Sequence, residues 1–306
     1  MDSLKNIVVG VDFSAGSRAA LAQAVRMAHW NQATLHVVHV IDEDLVTRVQ
    51  ETMDSLKIPS HQRQTTNDVC EAAQRSLEDL VAGSEAQDIS LKHDAILGNP
   101  FREILRRVND VTADVLLLGA KGQSGPGPGA GVLAAKCVRK AASKVLLVPE
   151  GLQEPFKTIV ACVDFSTMSQ LVVDQAVRLA QQDRAALHIL HVFSKPWEAW
   201  HYLELSSYDS DIHERALRNR LEDVLRTSDV ETGELKIDLH ALEHSRDASG
   251  IIQFARQHQA DLVVVGTHGR TGLRAFLMGT VAERIVRDAP CGVLAIKPDD
   301  FEYSVD

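Results

Sequence analysis

Short apolar runs rich in β-branched residues alternate along this chain with segments whose apolar residues recur every three or four positions. The second half shows the order throughout. KTIVACV predicts a strand, and Leu171, Val172, Ala176 and Leu179 then share one face of a helix over 168–182. ALHILHVF predicts the next strand, and Leu217, Leu221, Val224 and Leu225 mark a helix beyond it. LKIDLHALE is a third strand, 248–258 a helix with Ile251, Ile252 and Ala255 inward, and DLVVVG a fourth strand. A helix over about 279–288 precedes the fifth strand, GVLAIKP. Strands apolar nearly throughout, with helices between them, imply a parallel sheet covered on both faces.

The pattern occurs twice. NIVVGVDFS (6–14) returns as TIVACVDFS (158–166), and AVRMAHWNQATLHVVHV (24–40) returns as AVRLAQQDRAALHILHV (176–192), both 152 positions on. ADVLLLGAKG (113–122) returns as ADLVVVGTHG (260–269) at an offset of 147, so the halves differ in length near their middles. A period this long is a duplicated domain rather than a solenoid. Two α/β domains are expected, 1–150 and 151–306, each a five-stranded parallel sheet sandwiched by helices. The linker is expected within PEGLQEPF (149–156), where apolar periodicity stops.

Ligands of such sheets bind beyond the carboxyl ends of the strands. Those ends carry Asp12 and Asp164 after the first strand of each half, and Gly119 and Gly266 after the fourth. From Gly266 the sequence runs GTHGRTGLRAFLMGTV. Gly266, Gly269 and Gly279 leave backbone amides open to close approach, and Gly279-Thr280 reads as a helix start whose first amides lack intrahelical partners. These features suit a phosphate. They also suit a plain loop in which glycine makes turns and threonine caps the helix. Neither half holds the G-x4-G-K-S/T phosphate loop, and no G-x-G-x-x-G follows the first strand.

Gly266-x2-Gly269-x9-Gly279-Thr280 after an apolar strand, with VDFS closing the first strand, resembles the universal stress protein family. The duplicated layout covers nearly the whole chain and is similar to the tandem, two-domain bacterial kind. The resemblance implies a five-stranded parallel α/β sandwich and, in many members, bound ATP or a related adenine nucleotide, with or without Mg²⁺. It implies that Asp164 contacts the ribose or nearby polar atoms and that Val192 lies beside the adenine. Gly266, His268, Gly269, Gly279, Thr280 and Val281 would line the ribose and phosphates, and Arg270 adds charge in the same loop. It further implies an internal pseudo-dimer in which the last strands, KVLLVP and GVLAIKP, pair and protect their edges. A homodimer of the whole chain is a further expectation.

The first half departs from this pattern. Asp12, Gly119 and Gly122 match, but the loop reads GAKGQSGPGPGAGVLAAK. With Gly131 as the counterpart of Gly279 the loop is one residue shorter, Val132 replaces the hydroxyl residue, and Lys121 replaces the histidine. Pro126 and Pro128 remove two donors. Nucleotide is therefore expected in the second domain first.

Other candidates change the picture less. His36/His39 and His188/His191 have a metal-like spacing, yet residues three apart on a strand face opposite sides, so core or rim histidines are expected. Asp12 and Asp164 could instead cap the following helix, as could Ser14 or Ser166. Trp197, Trp200, Tyr202 and Tyr208 crowd a long connection that could lid a pocket, form a partner surface or pack on the sheet edge. Cys70, Cys137, Cys162 and Cys291 form no CxxC pair and are expected as buried free thiols. A net charge of −10 argues against nucleic-acid partners, and no apolar run is long enough to span a membrane. Without a leader-like N-terminus the chain is expected in the cytoplasm.

The leading expectation is a stress-response protein that binds an adenine nucleotide as a regulatory or stabilising ligand. A protein-interaction or non-nucleotide ligand module, and a slow ATPase, are the rivals. Hydrolysis needs an oriented water, charge neutralisation and usually a metal. Asp164, His268 and Arg270 could assemble something of that sort, but no motif demands it and no nucleophile–base–orienter set is legible.

Overall fold

The computed structural model describes residues 4–59, 65–122, 129–194, 210–269 and 278–298, with side chains from 214 onward in the fourth stretch. Arg270, Trp197, Trp200, Tyr202, Tyr208, Pro126 and Pro128 lie outside the described residues. The chain divides into two compact units, Pro155–Phe301 forming one and Asp2–Pro126 with Gly131–Glu154 the other.

In the first unit β1 (Asn6–Val11), β2 (Thr34–Asp42), β3 (Leu91–Gly98), β4 (Val115–Gly119) and β5 (Lys144–Val148) run in the order β3-β2-β1-β4-β5, every neighbouring pair parallel. Its helices are α1 (Ala15–Asn31), α2 (Glu43–Ser55), α3 (Thr66–Ala82), α4 (Pro100–Asp110) and α5 (Val132–Lys140). The second unit repeats this plan. β6 (Thr158–Cys162), β7 (Ala186–Phe193), β8 (Ile237–Glu243), β9 (Leu262–Gly266) and β10 (Gly292–Ile296) lie in the order β10-β9-β6-β7-β8, again parallel. The helices are α6 (Met168–Asp183), α7 (Ser210–Arg226), α8 (Asp247–Gln257) and α9 (Thr280–Asp288).

The central strands explain the apolar runs. Ile7, Val8 and Val9 in β1 and Ile159, Val160 and Ala161 in β6 are all fully buried, because helices cover both faces. α1 and α6 are buried almost all round, which is why their apolar residues exceed a single stripe. Both end at a left-handed residue, Gln32 and Arg184, each with φ 54°. The next amide then returns to a carbonyl five residues back, Ala33 to Ala28 and Ala185 to Ala180.

One carboxylate sets the register in each unit. Asp114, just before β4, accepts from the Lys5 and Asn6 amides at 2.6 and 2.9 Å, and so receives the start of β1. Asp261 does the same for Lys157 and Thr158 at the start of β6, at 2.6 and 2.9 Å. These clamps account for the Ala-Asp that opens both copies of the fourth-strand motif.

Candidate functional site

The site begins where β6 stops. The chain passes through Asp164 and then Phe165, which adopts φ 61°, before entering α6. A left-handed bulky residue is uncommon and costs about 1 kcal/mol or more. It turns the aspartate back over the strand ends. Asp164 Oδ1 accepts from the Ser166 amide at 2.9 Å and the Ser169 hydroxyl at 3.1 Å. The Asp164 amide in turn donates to Ser169 Oγ at 3.3 Å. Asp164 thus closes a turn rather than capping α6, whose first turn receives no side-chain cap from Thr167.

Gly269 explains why the second loop glycine is needed. A Cβ placed there would lie 2.9 Å from Asp164 Oδ2, so the bare backbone comes right up to the carboxylate. Gly266 faces Met168, with a would-be Cβ 3.1 Å from that side chain. The Thr267 hydroxyl bridges the Ile296 carbonyl at 3.1 Å and His268 Nδ1 at 3.0 Å, which anchors the imidazole. The Gly279 amide bonds the Thr267 carbonyl at 2.8 Å, and α9 starts at Thr280 without any side-chain cap. The first amides of α9 and its positive dipole end therefore remain for an anion.

These parts surround a cavity of about 590 Å³. Every second-domain residue expected at the site, apart from Arg270 outside the described residues, lines it: Asp164, Val192, Gly266, His268, Gly269, Gly279, Thr280 and Val281. Val192, one residue before the end of β7, is 8% exposed, with Gly250 of α8 pressed against its side chain. Sequence reasoning missed Met168, Leu217, Arg220, Asp247 and Ile251, which complete the walls. Cys162 also lines the cavity, half-buried rather than buried as expected, and burial pushes its thiol well above the usual range. Cys291, also half-buried, is pushed up to about 12, first by burial and then by Asp261. Cys70 is likewise half-buried and only Cys137 is fully buried, and none of the four forms a disulfide.

The first domain repeats the frame in a tighter form. Asp12 Oδ1 accepts from the Ser14 amide at 3.1 Å and the Ser14 hydroxyl at 2.5 Å, and Ser14 caps α1. Phe13 has φ 62°. A Cβ on Gly122 would stand 2.5 Å from Asp12 Oδ2, and one on Gly119 would strike Gly16 and Ser17 at 2.8 Å. The Gly131 amide bonds the Ala120 carbonyl at 2.7 Å and Gly131 opens α5 uncapped, which makes it the counterpart of Gly279. The loop is thus one residue shorter, and Val132, 77% exposed, takes the place of Thr280. The cavity here is about 270 Å³, lined by Asp12, Gly119, Lys121, Gly122 and Gly131 among others.

The histidine pairs split as strand geometry requires. His39 and His191 bond the carbonyls of Val11 and Val163 through Nδ1, at 2.8 and 2.7 Å, and pack at a tilt against Phe13 and Phe165. His188 instead points toward α8, where Nδ1 meets His240 Nε2 at 3.0 Å and its ring packs on Phe254 and His258.

A parallel α/β unit with a glycine loop at its switch point, present twice, defines the class. The sequence model of the Universal stress protein family matches residues 3–149 and again 155–297, and the chain belongs to that family. Among similar proteins, Universal stress protein MJ0531 of Methanocaldococcus jannaschii is 28% identical over 144 residues, covering 46% of this chain and 82% of its own. A putative universal stress protein of Staphylococcus epidermidis is 30% identical over 156 residues, covering 49% of this chain and 92% of its own. Among solved structures, a putative universal stress protein from Pseudomonas aeruginosa superposes with a TM-score of 0.64 at 19% identity. It covers 97% of this chain and 95% of that one, a likeness of fold.

Proposed function

We propose that the second domain binds an adenine nucleotide, ATP first, as a regulatory or stabilising ligand in a cytoplasmic stress response. The observation that carries this reading is the uncapped start of α9 facing the cavity beside a glycine whose missing Cβ admits backbone against Asp164. Amides and helix dipole suit phosphate, while the Val192 and Ile251 walls suit an apolar ring. The volume falls within the range of small-molecule sites, about 300–1,000 Å³. The first-domain cavity, at about 270 Å³, falls just below it and has no hydroxyl at Val132. In this reading Asp164 meets the ribose, Val192 the base, and Gly266, His268, Gly269, Gly279, Thr280 and Val281 the ribose and phosphates. Arg270 stands in the same loop.

Titration calorimetry with ATP, with and without Mg²⁺, tests the proposal on wild type and Gly279→Asp. Gly279 has φ −59° and ψ 145°, which aspartate adopts freely, and Asp is a favoured helix cap. The variant is expected to lose ATP while keeping or slightly raising its melting temperature. Binding near one per chain, lost in the variant, supports the reading. No wild-type binding would leave the loop as a turn in an interaction module. Product formation abolished by Asp164→Ala with binding kept would move the protein to the slow ATPases.

A further inference from the structure

The described walls of the second-domain cavity set an electrostatic problem for an anionic ligand. Two carboxylates, Asp164 and Asp247, line it. A phosphate-bearing ligand entering there meets two like charges in a partly desolvated space. Among the described lining residues a single side chain carries a permanent positive charge, Arg220 of α7. Its guanidinium sits 4.0 Å from the centroid of the Phe165 ring, next to Asp164 in the chain. None of the ion pairs among the described residues includes Arg220. An exposed arginine parked on an aromatic face keeps all its donors available, since stacking uses the plane of the guanidinium and leaves its edge free.

The first domain supplies the contrast. α3 and α7 are both 17 residues long, and their fully buried Leu77 and Leu221 fall at the same position in each. On that alignment Ser76 stands where Arg220 is, and Ala73 where Leu217 is. The first cavity accordingly has no wall from α3 among its described residues, whereas α7 contributes both Leu217 and Arg220 to the second. Phe13 and His39 repeat the tilted Phe165–His191 contact, and at the position of Arg220 the first domain has Ser76. The arginine is therefore a feature of the larger cavity and not of the shared fold.

We propose that Arg220 is the charge-selecting residue of the second-domain site. Held across Phe165 at the cavity wall, it offers its guanidinium edge to the anionic part of the ligand and makes the site favour a charged nucleotide over the neutral nucleoside. The proposal rests on the nucleotide reading above and extends it, because Arg220 is the one permanent cation among the described residues of a wall that carries two carboxylates.

The test compares ATP and adenosine binding by calorimetry in wild type, Arg220→Ala and Arg220→Lys, with ATP repeated over a series of salt concentrations. Arg220 is exposed, so the fold is expected to survive each change. Loss of a charge-assisted hydrogen bond should weaken ATP by about tenfold or more in Arg220→Ala, with adenosine unchanged. Arg220→Lys should recover part of the loss, since it keeps the charge and loses the fork. The salt dependence of ATP binding should flatten in Arg220→Ala, a change that packing alone does not produce. Unchanged ATP affinity and salt dependence in Arg220→Ala would overturn the proposal and leave the nucleotide reading standing. An equal loss for ATP and adenosine, with unchanged salt dependence, would do the same by making Arg220 a packing residue. Absence of wild-type binding to either ligand would overturn both.

Discussion

At the scale of single residues, the site depends on missing side-chain atoms. Gly269→Ala would push a methyl to 2.9 Å from Asp164 Oδ2, and Gly122→Ala one to 2.5 Å from Asp12. Such overpacking costs about 1–3 kcal/mol, and each variant is expected to melt lower by differential scanning calorimetry. Gly269→Ala should also lose ATP. The clamp aspartates are a second residue-scale case. Asp261→Ala leaves two strand-start amides without their shared acceptor, and hydrogen bonds to a charged group are worth about 1.5–3 kcal/mol each. The Lys157 bond is exposed and the Thr158 bond part-buried, so a total loss of about 2 kcal/mol is expected in urea unfolding, with Asp114→Ala behaving alike. Some residues were legible from the chain and others were not. Asp164 and the glycines stood out because their types suit few other roles at a strand end. Phe13 and Phe165 did not, because no local rule places a phenylalanine at positive φ. Tilted ring packing against His39 and His191 accompanies that conformation in each domain.

At the scale of elements, the two domains solve the same packing problem with different chemistry. In the first, Arg107 of α4 pairs with Asp94 of β3 at 2.6 Å, beside buried His36. In the second, α8 presents Phe254 and its C-terminal neighbour His258 to His188 of β7 and His240 of β8. Burial lowers the pKa of His188, with His258 and Lys236 adding to it and Asp238 opposing. Burial lowers His240 further, to about 4, with His188, His258 and Arg218 contributing and Asp238 again opposing. A base whose folded pKa lies below its unfolded value of 6.5 binds more protons when unfolded. The stability it contributes is therefore complete above about pH 6.5 and is lost as pH falls toward about 4. Melting of the second domain should drop through that window, and His240→Leu should flatten the drop. Nuclear magnetic resonance titration of the histidine ring protons would check the order, with His240 titrating at lower pH than an exposed histidine. Helix phase is what hid the walls of the cavity. Leu217 and Leu221 fix the buried face of α7, but periodicity does not show that Arg220 reaches over the strand ends. Asp247 and Ile251 became site residues only through the docking of α8, where Gly250 lets the helix close on Val192.

At the scale of the molecule, the two copies of the frame hold one roomy and one narrow cavity. One ATP per chain is the expected stoichiometry. Ligand at a hundredfold excess over Kd should add about 2.7 kcal/mol to the domain that binds it. A calorimetric scan of the whole chain should then show the second domain's contribution moving upward with ATP while the first stays in place. The fold was largely legible, since the apolar runs of the second half, their repeats in the first and a repeated Val-Asp-Phe-Ser leave few alternatives to two parallel sheets. The third strand of the first half, Leu91–Gly98, is the exception, because it alternates with polar residues and gave no apolar run. The difference in capacity between the domains was only half legible. The shortened loop and Val132 were visible in the chain, but the effect of Ala73 and Ser76 in place of Leu217 and Arg220 emerges only when two helices of equal length are laid over each other.

The carboxylate clamps bear on how such a chain can diverge. Asp114 and Asp261 lock the central strand of each sheet to the strand that carries its glycine loop. Slippage by one residue would break the clamp and turn every side chain on those strands to the wrong face. The spacing between the aspartate and the loop is thus a fixed gauge, inherited unchanged by both copies. Variation after the duplication had to fall on what the gauge does not measure, namely loop length and the residues that lean in from neighbouring helices. One copy could lose its ligand, or trade it for another, without its frame recording the change.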